Sequence, residues 1–234
     1  MNTACIKKTL ITTEKDNTLA LQCYEQLQED IINGTFAPGQ KLKIELLKQR
    51  LDVGQSPIRE ALSRLVASGL VETQDNKGFR VAQVSEANIR DIYRTFFQIE
   101  LLALNQAMEL GDDAWEASVA AALHHLALVE TRQEPVSYQV WAQRNYAFHV
   151  ALISGCNSPL LLQIRANVYH RFDRYCRIAF NLSNTQLHLN HDEHKKLADA
   201  VLERNTKKVH ELLEYHIFGA LEDVIATLQK NNLL

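Results

Sequence analysis

The chain has 234 residues, 46% of them hydrophobic and 23% charged, a composition close to that of an ordinary globular protein. This composition excludes disordered, collagen-like and fibrous proteins, and no apolar run approaches the roughly 18 to 20 residues of a membrane span. The net charge of −3 identifies no nucleic-acid partner, because residues 1–82 carry +1 and residues 83–234 carry −4. Four cysteines without a CxxC pair, and a start without a secretory signal, favour a reducing cytoplasm.

The first part of the chain shows the pattern of three helices followed by a β-hairpin. The predicted elements are helices over about 18–33, 44–51 and 56–69 and strands over 70–73 and 79–81. Ser56 is expected to cap the third helix, with Pro57 at its first position. A tight corner at residues 52–54 separates the second helix from the third.

The second part of the chain is predicted to be entirely helical. A long helix capped by Ser85 ends near Leu110, and further helices span roughly 113–130, 137–154, 158–181, 190–203 and 206–229. The candidate caps of these later helices are Asp112, Ser137, Ser158 and Asn205. The fold class is therefore mainly α, with an N-terminal winged helix-turn-helix and a C-terminal bundle of about six helices. The expected divisions are a flexible arm (1–15), the winged helix-turn-helix domain (16–82), a linker (83–85) and the helical domain (86–234).

Three helices with a tight corner and a hairpin are typical of winged helix-turn-helix proteins, which place the third helix in the DNA major groove. Its N-terminal end carries Gln55, Ser56 and Arg59. Arginine suits guanine and glutamine suits adenine, while the serine hydroxyl can contact phosphate. Lys43 and Arg64 are candidates for phosphate contacts, and Lys77 and Gly78 form a wing tip that could enter the minor groove. The alternative is that Arg59 and Glu60 form an ordinary solvated pair and that the module mediates protein contacts.

Five segments of this region resemble the GntR family of bacterial transcription regulators. They are residues 31–34 (IING), 38–42 (PGQKL), 57–65 (PIREALSRL), 69–71 (GLV) and 77–81 (KGFRV). The resemblance implies that Arg59 reads bases and that Lys77 and Gly78 make the wing contact. The family usually has Ser-Arg where this chain has Gly54-Gln55, so one arginine is missing and the operator is expected to differ.

All nine histidines lie in the second part of the chain, and three of them have apolar neighbours on separate helices. These three are His149, His194 and His216, and Asn145 lies one helical turn before His149. Three inward imidazoles on one bundle can converge on a divalent cation such as zinc or nickel, with Asn145 adding a neutral oxygen. The alternative is that they are hydrogen-bonded core residues. His188 and His191 are expected in an exposed loop.

The helical part resembles the FCD ligand-binding domain of the FadR subfamily. That family has Asp-x3-His, then Glu-His at the start of a helix, then a histidine on the last helix, and this chain has Asn145, His149, Glu193-His194 and His216. The resemblance implies a metal site and an acidic effector. The family often has an effector-binding arginine where this chain has Phe96, so Arg144, Arg165, Arg171, Arg174 and Arg177 are the candidates to replace it. Arg174 and Arg177 are favoured because aromatic residues lie beside them.

The sequence therefore predicts a cytoplasmic homodimeric transcription regulator, a repressor in the commoner mode of the family, that binds a palindromic double-stranded operator. A small carboxylate bound near the metal is expected to modulate its affinity for DNA. No membrane partner is expected. No HExxH, GxSxG or GxGxxG motif is present, so an enzyme is not expected. A metal-dependent enzyme and a metal-free sensor built on the helical domain remain the alternatives.

Overall fold

The computed structural model describes residues 19–74, 78–132, 137–183 and 191–234. Within these ranges the chain forms nine α-helices and three short strands, arranged in two compact units. The first unit comprises the residues up to Ser85 together with Asp173–Ile178, and the second comprises Glu86–Phe172 with Ala179–Leu234. The predicted fold class, a winged helix-turn-helix followed by a helical domain, is confirmed.

The first unit contains three helices and an antiparallel sheet: α1 (residues 19–32), α2 (Ile44–Leu51), α3 (Gln55–Ala67), β1 (Lys41–Leu42), β2 (Val71–Gln74) and β3 (Gly78–Val81). The strand order is β1-β3-β2, with Lys41 opposite Arg80 and Val71 opposite Val81. Fully buried side chains from α1 and α3 form the core, among them Leu27, Ile31, Ile58, Leu62 and Leu65. Their helical spacing places them on one face of each helix, which leaves the polar face of α3 in solvent.

The second unit is a bundle whose helices are α4 (Glu86–Leu110), α5 (Asp113–Glu130), α6 (Tyr138–Ser154), α7 (Pro159–Ser183), α8 (His191–Leu202) and α9 (Thr206–Lys230). A short segment of α7 belongs to the first unit. Helix α5 packs on α6 and α8, α4 packs on α6 and α9, and α8 packs on α9. These contacts bring together the inner faces of α6, α8 and α9.

Side chains fix the starts of the later helices. The predicted caps Asp112, Ser137, Ser158 and Asn205 each accept a hydrogen bond from the backbone N–H three residues further on. The shortest of these bonds, to Asp112, is 2.8 Å long. Such a bond satisfies one of the unpaired N–H groups of the first turn and stabilises a helix by about 1 kcal/mol.

Trp115 fixes the junction between α5 and its neighbours. Its Nε1 donates a 3.0 Å hydrogen bond to the carbonyl oxygen of Ala151 on α6. A Cβ atom at Gly111 would lie 2.1 Å from the indole ring, and one at Gly155 would lie 3.0 Å from it. Glycine at both positions therefore allows the backbone to approach the ring, which holds α5 against the end of α6.

Two expectations about local structure are wrong, and one strand was not expected. Helix α3 begins at Gln55, and its N-cap is Gly54 in an extended conformation, so Ser56 is not the cap. Pro57 is therefore at the third helical position, two positions later than expected, and it is accommodated because no N–H in the first turn has an intrahelical partner. Strand β1 was not expected, since two residues give no pattern and their pairing with β3 is long-range. His191 is the first residue of α8 and not part of a loop.

The arm over 1–15, Lys77 at the wing tip and His188 lie outside the described residues. Among the residues that are described, no helix is both long and apolar enough to cross a membrane.

Candidate metal centre and DNA-reading surface

The predicted histidines come together in the second unit. His149 of α6, His194 of α8 and His216 of α9 each offer a ring nitrogen, and these nitrogens lie within 4.8 Å of one another. The ring of His216 lies with its centroid 5.3 Å from that of His149 and 4.8 Å from that of His194. The structure thus brings three side chains to one point from three different helices.

Burial keeps two of these rings neutral. Burial lowers the pKa of His149 well below its usual value, and the nearby His216, His194 and Arg165 lower it further. Burial also lowers the pKa of His194, although its contact with Glu130 opposes the shift. A neutral imidazole has a free lone pair, which is the form that binds a metal ion.

Asn145 lies one turn before His149 on α6. Its Oδ1 atom is buried and has no hydrogen-bond partner among the described residues, and the same holds for Nε2 of His194. A buried polar atom without a partner is costly, by about 1–3 kcal/mol, so two of them beside a histidine cluster indicate a missing ligand.

Carboxylates lie behind two of the three histidines. Nδ1 of His194 lies 2.9 Å from Oε1 of Glu130, and Nδ1 of His216 lies 3.0 Å from Oε2 of Glu193. Glu130 is fully buried in its side chain, and its Oε1 also accepts a 3.0 Å hydrogen bond from Nε1 of Trp141. Its Oε2 lies 3.6 Å from Nδ1 of His191. A carboxylate on one ring nitrogen fixes the tautomer that directs the other nitrogen to a metal.

The donor set fits a divalent transition metal. Three imidazoles and an amide oxygen suit zinc or nickel, and this set leaves coordination positions for a ligand. Metal–nitrogen bonds of about 2.1 Å would require these nitrogens to lie closer together than their present span of up to 4.8 Å. None of these four side chains is anionic, so the negative charge nearest to a bound metal ion would be that of the carboxylates behind His194 and His216.

A buried ion pair lies beside this cluster. Arg165 of α7 and Glu100 of α4 are each about 2% exposed in their side chains, and Nε of Arg165 donates a 2.6 Å hydrogen bond to Oε1 of Glu100. Burial raises the pKa of Glu100, and the charge of Arg165 opposes that rise. The guanidinium carbon lies 4.8–5.3 Å from the ring centroids of Phe96, Tyr146 and Tyr169.

Arg174 and Arg177, the two arginines favoured for the effector, lie in the α7 segment that belongs to the first unit. Arg174 is 3% exposed and donates a 2.5 Å hydrogen bond to the carbonyl oxygen of Ala82. Arg177 donates to Asp173 at 2.8 Å and to Asn33 at 2.5 Å. Neither residue is part of the histidine cluster.

The residues expected to read bases lie together on the exposed start of α3. Gln55, Ser56 and Arg59 are all exposed. With its amide oriented for hydrogen bonding, Gln55 accepts from Nε of Arg59 at 2.9 Å and from Nη2 at 3.0 Å. The first turn has neither a side-chain cap nor an acidic residue, an arrangement that suits an approaching phosphate.

The expected backbone contacts surround this helix start. Lys43, at the N-cap position of α2, is exposed, and Arg64 is ion-paired with Glu60 across one turn of α3 at 2.5 Å. Gly78 begins β3 with φ +88°, a left-handed conformation that favours glycine, and no atom of the described residues lies within 4 Å of a Cβ built there. The wing therefore has an open backbone at Gly78.

Glu130, which contacts the histidines, was not singled out from sequence. It ends an apolar stretch, Leu126 to Val129, and a lone acidic residue at the end of such a face was its only signal. Arg165 was among the five candidate arginines, but Arg174 and Arg177 were favoured over it because aromatic residues lie beside them in sequence. Packing between helices gives both residues their positions.

The comparisons with known proteins agree with the division of the chain into a winged helix-turn-helix and a helical domain. Residues 19–81 match the family described as "Bacterial regulatory proteins, gntR family", and residues 91–219 match the "FCD domain". The chain is 39% identical over 202 residues to the HTH-type transcriptional repressor GlaR of Escherichia coli, covering 85% of this chain and 92% of that protein. It is 38% identical over 204 residues to the HTH-type transcriptional regulator BphR of Paraburkholderia xenovorans, covering 86% and 83% of the two chains.

Among solved structures, Escherichia coli McbR shares this fold with a TM-score of 0.72 at 21% sequence identity, covering 92% of this chain and 98% of that one. The family and the named relatives are transcription regulators. This chain is therefore not an enzyme, and the metalloenzyme alternative is rejected. The chain belongs to the GntR family of bacterial transcription regulators, with an FCD domain as its second half.

Proposed function

We propose that this regulator is a cytoplasmic repressor whose affinity for its operator is controlled by a small carboxylate bound at a metal ion in the FCD domain. The observation that carries this proposal is the convergence of His149, His194 and His216 beside the unpartnered oxygen of Asn145. A cluster of three imidazoles inside the helical unit supports a sensing site that is separate from the residues proposed to read DNA.

The DNA contacts that we assign follow from the exposed start of α3. Arg59 reads guanine and Gln55 reads adenine, so their mutual hydrogen bonds would be exchanged for bonds to bases in the groove. Ser56, Lys43 and Arg64 contact phosphates, and Lys77 with Gly78 forms the wing contact. The protein acts as a homodimer, through residues 86–234, so that two copies of residues 16–82 bind a palindromic operator.

The metal is zinc or nickel, held by the three histidines and by Asn145. It supplies a Lewis-acidic centre for a carboxylate oxygen, while Glu130 and Glu193 orient the histidine rings. By linkage, an effector that binds the DNA-free state more tightly must weaken DNA binding by the same factor. Arg174 and Arg177 stay effector candidates from sequence, although both are bonded within the first unit.

The test is selection of genomic fragments by the purified full-length protein in near-physiological salt, loaded with nickel or zinc or treated with chelator. We expect enrichment of a short palindrome, and we expect metal content to be lost in a His149→Ala/His194→Ala variant. The matched control is His124→Ala/His125→Ala, which removes two exposed histidines of α5.

Absence of an enriched sequence in every condition would contradict the repressor proposal. Unchanged metal content in the His149→Ala/His194→Ala variant would contradict the metal site. Enrichment by a wild-type protein that binds no metal would favour the metal-free sensor, in which the histidines are core residues.

A further inference from the structure

A short segment of α7, residues 173–178, belongs to the first unit although it lies within the part of the chain that matches the FCD domain. Three of its side chains form hydrogen bonds with points of the first unit that are far apart in sequence. These bonds join Arg177 to Asn33, Arg174 to the carbonyl oxygen of Ala82, and the hydroxyl of Tyr175 to the backbone N–H of Ser85. The first unit is therefore completed by a segment from the second half of the chain.

The contact at Ala82 lies at the base of the wing, the hairpin formed by β2 and β3. The N–H of Ala82 donates a 3.0 Å hydrogen bond to the carbonyl oxygen of Leu70, the residue before β2. The carbonyl oxygen of Ala82 accepts the 2.5 Å bond from Nη2 of Arg174. Ala82 is buried, so this oxygen depends on a donor from the protein. Arg174 thus holds the point where the chain leaves β3.

Arg174 is a costly donor for one carbonyl oxygen. The residue is 3% exposed, and its Nε is buried without a hydrogen-bond partner among the described residues. The exposed Glu72 of β2 acts on it electrostatically, but burial outweighs this attraction and lowers the pKa of the guanidinium. A buried cation destabilises a fold unless it is fully paired. Stability alone therefore does not account for an arginine at this position.

We infer that Arg174 is a positioning residue for the wing, which it holds through the carbonyl oxygen of Ala82 in the orientation that contacts DNA. This inference rests on the proposed contact of Lys77 and Gly78 with the operator. It deepens that proposal, because it makes a residue of the FCD-matched half a part of the DNA-binding machinery. It also gives Arg174 a different role from the effector contact expected from its neighbours in sequence.

Two substitutions in the full-length protein separate positioning from stability. Arg174→Met removes the donor and the buried charge together, so we expect the melting temperature to stay within about 4 °C of the wild-type value. Arg174→Lys keeps a charged donor for the single bond to Ala82, and we expect it to behave like the wild type. Arg94→Met, at an exposed position of α4, is the matched control.

Amide hydrogen exchange of the DNA-free protein measures the wing directly. In Arg174→Met we expect residues 70–82 to exchange about 10-fold faster, because loss of an anchoring bond favours local opening, while α1 and α3 keep their wild-type rates. Unchanged exchange over 70–82 overturns the inference. Faster exchange throughout the first unit, together with a large fall in melting temperature, would make Arg174 a stability residue only and overturns it as well.

Binding to the selected palindrome and to its single-base variants measures the consequence for DNA recognition. We expect Arg174→Met to bind the palindrome about 10-fold more weakly. Discrimination should be lost at the base pairs under the wing and kept at the base pair that Arg59 reads. An equal loss at every base pair, or wild-type affinity in a variant whose wing exchanges faster, overturns the inference.

The outcomes separate this inference from the proposed repressor function. If the wild-type protein selects no palindrome, the repressor proposal fails, and the inference is then judged on hydrogen exchange alone. Faster exchange of the wing in Arg174→Met, with wild-type exchange in Arg174→Lys and Arg94→Met, supports it in that case too. Equally fast exchange of the wing in both Arg174 variants overturns the assignment to the bond with Ala82.

Discussion

The cations at the exposed start of α3 have hydrogen-bond partners, whereas several buried polar atoms near the histidines have none among the described residues. On α3, Arg59 bonds Gln55 and Arg64 bonds Glu60, so these cations are satisfied within one helix. In the second unit, Oδ1 of Asn145, Nε2 of His194 and Nη1 of Arg165 are buried and have no hydrogen-bond partner in the described part of the chain.

This difference shows how each kind of site can accept its ligand. Exposed pairs are worth roughly 0–1 kcal/mol, so a base or a phosphate can replace them at little cost. Buried groups cannot turn to water, and their unmet hydrogen bonds stabilise a bound ligand directly. The surface site can therefore be identified from a sequence motif, and the buried site from polar atoms whose hydrogen bonds are unmet.

We expect the largest effect when one of the buried side chains proposed to bind the metal is removed. His194→Ala deletes one of three imidazoles at a fully buried position, and we expect nickel or zinc affinity to fall below detection. Metal content and titration of the metal-free protein measure this effect. The matched change His124→Ala, at an exposed histidine of α5, should leave affinity unchanged. Equal metal content in both variants would contradict the assignment.

A change on the surface should give a smaller, sequence-dependent loss. Arg59→Ala removes the proposed contact to guanine, which we expect to weaken operator binding by about 1–3 kcal/mol and to relax specificity at one base pair. Binding to the selected palindrome and to its single-base variants measures both effects. Arg94→Ala, at an exposed position on α4, is the control. An equal loss on all sequences would reassign Arg59 to a phosphate contact.

A substitution of the carboxylate that contacts His194 tests the buried site while every side chain proposed to bind the metal stays in place. Glu130→Gln keeps an acceptor for Trp141 but removes the charge behind His194, and we expect metal affinity to fall about 10- to 100-fold. Competition with a chelator of known affinity measures the loss. Glu109→Gln on the exposed face of α4 is the matched control. An unchanged metal affinity in the Glu130→Gln variant would show that the contact between Glu130 and His194 does not contribute to metal binding.

The mildest test is the pH dependence of metal-free protein. The pKa values of His149 and His194 are lowered in the folded state by burial first, so the unfolded chain takes up protons first as the pH falls below about 6.5. The free energy of unfolding should therefore fall with pH, by at most about 1.4 kcal/mol per unit and per histidine. The raised pKa of Glu100 acts in the opposite direction. Urea unfolding at several pH values, with His149→Gln as control, measures the histidine share, and equal slopes in both proteins would contradict it.

Much of the fold is local enough to be predicted from sequence. The cap residues Asp112 and Asn205 act within one turn of chain, and the apolar spacing of α2 gives its bounds at Ile44 and Leu51. Strand β1 could not be predicted in this way, because two residues are fixed as a strand only by their pairing with β3.

The metal centre likewise contains residues that the sequence predicts and residues that it does not. His149, His194 and His216 were found from their apolar neighbours and from a family resemblance. Glu130 could not be found so, and Arg165 could not be preferred over the other candidate arginines, since acidic and basic residues are ordinary on a helix until neighbouring helices bury them. Their importance arises from packing, which short-range spacing does not encode.

The hydrogen bond from Trp141 to Glu130 gives the metal centre an optical consequence. The chain has only two tryptophans, and Trp115 lies at the glycine-lined junction where α5 begins. The indole of Trp141 donates to the carboxylate that also contacts His194, so it experiences any redistribution of charge when that ring binds a metal ion. In a Trp115→Phe background the protein carries its own fluorescent reporter of occupancy, and metal binding can be followed by emission without a label.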